Sequence, residues 1–313
     1  DVTKWPEYGK LSGRKVEELE EGARVAVRDE KRHPADFALW KKAEPGHILR
    51  WTSPWGVGFP GWHIECTAMA TKYLGPTFDI HGGGLENIFP HNECEIAQSE
   101  AWTGKPFARY WLLAGSLTID GVKMSKSLGN FVTIQDALKK HRAEAIRFFI
   151  LSSHYRNPVD YSAGALEAAE AGLTRLLSPL ALVRERTRNA PVGQADAGVI
   201  ELLDNQRERF TDAMDDDFNA PAALAVLFDL TTEVNKLVNS GATLTRGTLE
   251  AIEGTYQSLG GRVLGIVPTQ VQPEANGELL DGLVKMLIEM RAEAREAKDF
   301  ARADEIRDRL AAL

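Results

Sequence analysis

The chain has 313 residues, of which 43% are hydrophobic and 26% charged; 37 Lys and Arg stand against 45 Asp and Glu, a net charge of −8. That is the composition of a globular protein of about two domains at roughly 150 residues each, and it excludes wholesale disorder, a disulfide scaffold and a membrane-spanning apolar run. Net acidity excludes a generic nucleic-acid coat but leaves room for local basic patches.

Taken in chain order, residues 1–60 are irregular and rich in Trp, Pro and Gly, with strand-like pieces at Val25–Val27 and Phe37–Trp40. Turn punctuation from Trp51 to Gly61 predicts a loop. A helix is expected from Gly61–Trp62 to just before Gly75. A short buried strand over Thr77–Ile80 then runs into His81-Gly-Gly-Gly84, read as a tight turn where backbone can approach a ligand. A second helix is expected over Pro90–Trp102, with Pro in its first turn and Gly104 past its end. Asp120-Gly121, inside Leu117–Met124, predicts a type I′ hairpin. Thr133 is an N-cap candidate, and Ile134, Ala137, Leu138, Ala145, Phe148 and Phe149 follow at helical spacing. A helix from Ala220 carries Leu224, Leu227, Phe228, Val234, Leu237 and Val238 on one face. Arg186–Gly198 and Val267–Gly277 read as linkers, and Glu278–Leu313 as a charged helical stretch broken near Asp299. The fold class is therefore α/β followed by all-α.

Only two cysteines occur, Cys66 and Cys94, so a reducing compartment is expected and a metal is a better first reading than a bridge. His63 and Cys66 are i, i+3 on one predicted helix; His91 and Glu95 are i, i+4 on the next, with Cys94 i+3 from His91. Thiolate, imidazole and carboxylate are the groups zinc takes. The spacing is not that of a standard finger, so a buried cysteine, a capping histidine and surface acids account for the same residues, and His63 beside Trp62 reads equally as a packed structural residue. Lys123-Met-Ser-Lys-Ser127 places two lysines around small hydroxyl residues, a loop suited to folding over a triphosphate, with Lys126 offsetting charge as pyrophosphate leaves. The competing reading is a solvated basic loop. Met214-Asp-Asp-Asp-Phe-Asn219 reads as an acidic N-cap with Pro221 early in the helix. Between Lys285 and Arg309 seven basic and seven acidic residues balance, which describes a solvated, salt-bridged face.

These residues carry a resemblance. Lys123–Ser127 resembles the KMSKS signature of class I aminoacyl-tRNA synthetases, and Pro60–Cys66, Phe78–Gly84, Phe89–His91, Glu95–Ser99, Met214–Asn219 and Arg291–Arg295 resemble the cysteinyl-tRNA synthetases, over essentially the whole chain. The resemblance implies the second half of a Rossmann-type class I synthetase catalytic domain with a C-terminal helical bundle. Its divisions would be a connective insertion over 1–50, the catalytic half with zinc ligands over 51–115, the KMSKS loop and stem-contact region over 116–185, an anticodon-stem bundle over 199–266, and the start of an anticodon-binding region over 278–313. It implies activation of cysteine to cysteinyl-adenylate by ATP with Mg2+, then transfer to tRNA(Cys). It implies one Zn2+ per chain, held by Cys66, His91 and Glu95, that selects thiol over hydroxyl. Lys126 and Lys123 would be catalytic, and Trp62, His63, His81, Gly82 and Gly83 would contact substrate or ATP, as would Lys126. A monomer in the cytoplasm, with no membrane partner, is expected.

There are departures. No His-x-Gly-His occurs in the 313 residues, and the family's fourth zinc ligand, a cysteine near its N-terminus, is not among them, so an N-terminally truncated synthetase is expected. Glu86 stands where the family usually has Asp, and Asn92 and Cys94 where it has His and Asn; Cys94 is a candidate ligand beside or instead of Glu95. Two other readings are a cysteine ligase of mycothiol biosynthesis, which needs no anticodon module, and a non-catalytic fragment that binds zinc or tRNA.

Overall fold

The computed structural model describes residues 1–16, 31–124, 129–269, 277–297 and 299–311. The strand-like Val25–Val27 and the loop residues Ser125–Ser127, Lys126 among them, lie outside these. Asp1–Ile266 packs as one compact unit and Val267–Leu313 as another.

In the first unit the opening segment is bound to a later helix by buried polar groups. Val2 and Tyr8 pack with Cys94 and Ala97, flanked by Trp5, Phe37 and Phe89. The fully buried Glu93 carboxylate accepts from the backbone N–H groups of Gly9 (2.9 Å), Leu11 (3.2 Å) and Ser12 (2.8 Å). Three short strands follow, β1 (Trp40–Lys42), β2 (Trp51–Ser53) and β3 (Gly56–Pro60), antiparallel in the order β1-β3-β2. The loop expected over 51–61 is thus a hairpin. Its tight turn is closed by Ser53 Oγ donating to the Gly56 carbonyl (2.7 Å), with Gly56 at φ +99°. The punctuation marked the turn but hid strands only three and five residues long. Gly58 is required on β3 because a Cβ there would collide with the Trp40 indole nitrogen.

Helix α1 (Trp62–Leu74) lies between Gly61 and Gly75 as the sequence predicts. Strand β4 (Phe78–Gly84) pairs in parallel with β5 (Ala108–Ala114) across α2 (Glu93–Thr103). Two expectations change here. His81–Gly84 is no tight turn: it is the end of β4, paired residue for residue with Trp111–Ala114. Nor is the strand buried, since Asp79 and Ile80 are exposed. The helix expected from Pro90 starts at Glu93, after a wide turn over Ile88–Asn92, because Phe89 is extended (φ −134°, ψ 131°), as residues before proline are. Gly104, left-handed at φ 66°, ends α2.

Strand β6 (Leu117–Ile119) forms the expected hairpin with β7 (Val122–Lys123), with Asp120 and Gly121 both at positive φ, and pairs in parallel with β8 (Val159–Tyr161). Asp160 fastens the two edges, accepting from Thr118 Oγ1 (2.6 Å) and Gly121 N (2.7 Å). The helical pattern from Thr133 is two helices, α3 (Ile134–Leu138), capped by Thr133, and α4 (Ala143–Leu151).

Four long helices complete the unit: α5 (Ala163–Asn189), α6 (Ala197–Asp215), α7 (Ala220–Asn239) and α8 (Arg246–Tyr256). Buried Leu166, Leu173, Leu176 and Leu180 follow the i, i+7, i+10, i+14 stripe of a helix face. Leu203, Leu227, Leu230, Leu249 and Ile252 close the core from the other three helices. The linker expected over 186–198 shrinks to residues 190–196, because α5 runs on to Asn189. In the second unit α9 (Gly277–Glu296) and α10 (Phe300–Ala311) pack on each other, with the predicted break at Asp299, whose carboxylate accepts from Arg302 N.

Candidate metal and substrate site

The first two turns of α1 present Trp62, His63 and Cys66, the end of β4 presents His81, the turn into α2 presents His91 and Asn92, and the first turn of α2 presents Glu95. Donor atoms of Cys66, His91 and Glu95 lie within 4.8 Å of one another. The Glu95 side chain has no solvent exposure, and its two oxygens have different neighbours. Oε2 accepts from His81 Nε2 (2.9 Å) and from Asn92 Nδ2 (3.0 Å). Oε1 lies 3.2 Å from His91 Nε2 and is without a hydrogen-bond partner. A buried anionic oxygen without a donor is costly, and a cation answers it. Sulfur, imidazole nitrogen and carboxylate oxygen form the mixed set of a zinc site. The residues present therefore fit the metal, with three protein donors in the described residues.

The electrostatics agree. Burial works against the Glu95 charge, but the donors His81 and Asn92 outweigh it and hold the carboxyl below its ordinary value. Burial and the neighbouring Glu95 charge push the Cys66 thiol up to about 11, so the protein alone keeps it protonated; a bound cation inverts that balance. Burial and the adjacent His91 push His63 down to about 4, so it is neutral. His63 Nδ1 and His91 Nδ1 are 2.8 Å apart, which requires one to donate and the other to accept and fixes their tautomers relative to each other.

The aromatic walls follow from the same elements. Trp62, 56% exposed, stacks on His91 with ring centroids 4.0 Å apart. His81 stacks on its cross-strand partner Trp111 (4.4 Å, 15°). Phe37 meets His63 edge-on at 5.7 Å. Gly82 and Gly83 continue β4 beside them, and a Cβ on Gly83 would meet Asn92 Oδ1 at 3.6 Å.

Trp62, His63, Cys66, His81, His91 and Glu95 thus meet in one place. Cys94 does not join them: it is fully buried on the opposite side of α2, with the Tyr8 hydroxyl 3.4 Å from its Sγ, and burial pushes its thiol up to about 12. Lys126 lies outside the described residues, as does the side chain of Lys123. Sequence reasoning missed Trp111, which only the β4–β5 register reveals, and gave Asn92 no role, although its i−3 spacing from Glu95 was legible.

Comparison with known proteins adds to this geometry. Residues 1–171 match the family described as tRNA synthetases class I (C) catalytic domain, and residues 209–268 match the DALR domain. A cysteine–tRNA ligase of Deinococcus radiodurans is 51% identical over 316 residues, covering 99% of this chain and 62% of that protein. One of Thermus thermophilus is 49% identical over 313 residues, covering 100% and 64%. The chain thus spans less than two thirds of the length of these relatives. A solved Agrobacterium radiobacter K84 agnB2 LeuRS, in a ternary complex with tRNA and LeuAMS, shares the fold at a TM-score of 0.51 with 16% identity, over 74% of this chain and 36% of that one. Among the described residues no helix is long and apolar enough to cross a membrane.

Proposed function

The chain belongs to the class I (C) tRNA synthetases, and on that premise we propose that it serves a cysteine–tRNA ligase, which activates cysteine with ATP and Mg2+ and passes it to tRNA(Cys). The observation that carries this reading is the cluster of Cys66, His91 and Glu95 donors with the unpartnered Oε1 among them. These three residues would hold Zn2+, which when bound supplies a soft positive centre for a substrate thiolate. Oxygen replaces sulfur poorly at such a centre, and this is how a cysteine enzyme rejects serine.

The chain's own residues do the rest. His63, neutral, holds the His91 ring in one tautomer. Glu95 is oriented by His81, whose Nε2 donates to Oε2. Trp62 and the stacked pair of His81 and Trp111 wall the site against water, and the Gly82–Gly83 backbone lets the amino acid lie close to β4. Lys126 and Lys123 would stabilise the charge that builds on pyrophosphate as the adenylate forms. The DALR match, from the end of α6 through α8, supports a tRNA as acceptor in preference to an amino-sugar.

The test is cysteine-dependent ATP–pyrophosphate exchange by the full-length zinc-loaded protein. Exchange with cysteine and none with serine is the expected result. Absence of exchange in a folded, metal-loaded preparation would reject the activity.

A further inference from the structure

Glu95 is the carboxylate among the three ligand candidates, and the division between its two oxygens has a cause in a residue that carries no assigned role. Asn92 is only 1% exposed. Its Nδ2 donates to Glu95 Oε2 (3.0 Å), alongside His81 Nε2 (2.9 Å), so Oε2 already has two donors. Oε1 has none. The orientation of the Asn92 amide is dictated by this contact, since an amide oxygen facing the carboxylate would be repelled. In consequence Asn92 Oδ1 turns away, toward Gly83, and is itself buried without a partner. An asparagine that leaves one buried acceptor unmet is a poor choice for stability alone; a leucine of similar size would remove that acceptor. What the asparagine adds is a neutral N–H aimed at one carboxylate oxygen.

We propose that Asn92 is a positioning residue for the metal: by saturating Glu95 Oε2 together with His81, it makes Glu95 a one-oxygen ligand through Oε1 and aims that oxygen at the point between Cys66 and His91. The inference rests on the zinc reading above and adds to it how the carboxylate binds. A carboxylate free at both oxygens swings between one- and two-oxygen binding and occupies more of the coordination sphere. Holding it to one oxygen keeps a position open for the substrate sulfur. Neighbours that orient a ligand in this way typically contribute about 10- to 100-fold to metal affinity.

The test uses the full-length protein in metal-free form. Zn2+ affinity is measured by chelator competition and site geometry by the visible absorption of the Co2+ form, for wild type, Asn92→Leu and Asn92→His. Asn92→Leu removes the N–H with little change of volume and is expected to weaken Zn2+ binding by about 10-fold or more and to alter the Co2+ bands. Asn92→His, which restores an N–H, is expected to recover the affinity to within about threefold of wild type. Equal affinity and an unchanged Co2+ spectrum in Asn92→Leu would overturn the proposal while leaving the zinc reading intact; a wild-type protein that takes up no Zn2+ would overturn both. Should Asn92→Leu fail to fold, a crystal structure of the zinc-loaded wild type decides: binding through Oε1 alone supports the proposal, and binding through Oε2 or through both oxygens refutes it.

Discussion

Without a cation, Cys66 is a protonated thiol hydrogen-bonded to the buried Glu95 carboxylate, and a thiol is a weak donor that a metal ion replaces. Removing the thiol should therefore cost metal before it costs fold. Cys66→Ser is expected to lower Zn2+ content to a small fraction of wild type and to erase most discrimination between cysteine and serine in pyrophosphate exchange, with the thermal midpoint of the metal-free protein unchanged. Elemental analysis of the purified variant checks the first outcome and the exchange assay the second. Retained stoichiometric zinc would remove Cys66 from the ligand set. A different residue should affect rate alone. If Lys126 acts on departing pyrophosphate, Lys126→Ala should lower the adenylation rate by about 100-fold while the KM for ATP moves little, since a contact made only in the transition state changes kcat and kcat/KM together. Single-turnover adenylate formation measures this, and a rate within about twofold of wild type would dismiss the role.

Elements, not single contacts, place these side chains, and Glu93 shows how. It stands between His91 and Glu95 in the chain but points the other way on α2, where it satisfies three backbone N–H groups of the opening segment. Glu93→Ala leaves the buried Gly9 N–H and the part-buried Leu11 and Ser12 N–H groups unpaired, at about 1–3 kcal/mol for a buried group. Hydrogen exchange should show the amides of Gly9, Leu11 and Ser12 opening well before the α5–α8 core, and undiminished protection there would contradict the assignment. This alternation along α2 explains what the sequence could and could not disclose. His91 and Glu95 were legible as a pair because helix spacing is local, and α1 was legible because Gly61 and Gly75 punctuate it. The opposite orientation of Cys94 was not legible, because it depends on Tyr8, 86 positions away. The same holds for strands. The Asp120-Gly121 hairpin declared itself through its own turn, whereas β2 and β3 hid under glycines, and His81–Gly84 became a strand only because Trp111–Ala114 lies alongside.

At the scale of the whole first unit, the question is what ties the α/β part to the helices, and the acidic turn Met214–Asn219 supplies an answer that its reading as an N-cap did not contain. Asn219 does cap α7, accepting from Ala222 N. The preceding Asp217 does something else. Its carboxylate accepts from the Tyr155 hydroxyl (2.7 Å), pairs with Arg156 and lies 3.8 Å from His154 Nε2, all three on the segment leading into β8. Asp217 and Phe218 reach this position with φ of 55° and 54°, a left-handed backbone that costs non-glycine residues roughly 1–2 kcal/mol each. The ion pair and hydrogen bond offset that strain and should confer a specific pH dependence. The Arg156 and Tyr155 hydrogen bonds hold the Asp217 carboxyl below its ordinary value of 3.8. A group whose folded-state pKa is depressed contributes its full stability above the unfolded value and loses it as pH falls through the folded one. Asp217→Asn keeps the side-chain size and tolerates the left-handed backbone, but removes the charge. The variant should therefore melt below wild type from about pH 5 to pH 8, and the margin should close as the pH drops through and below about 4. Thermal denaturation of both proteins across that range is the measurement; parallel curves down to the acid end would show that the Asp217 charge does not hold the helices to the α/β part.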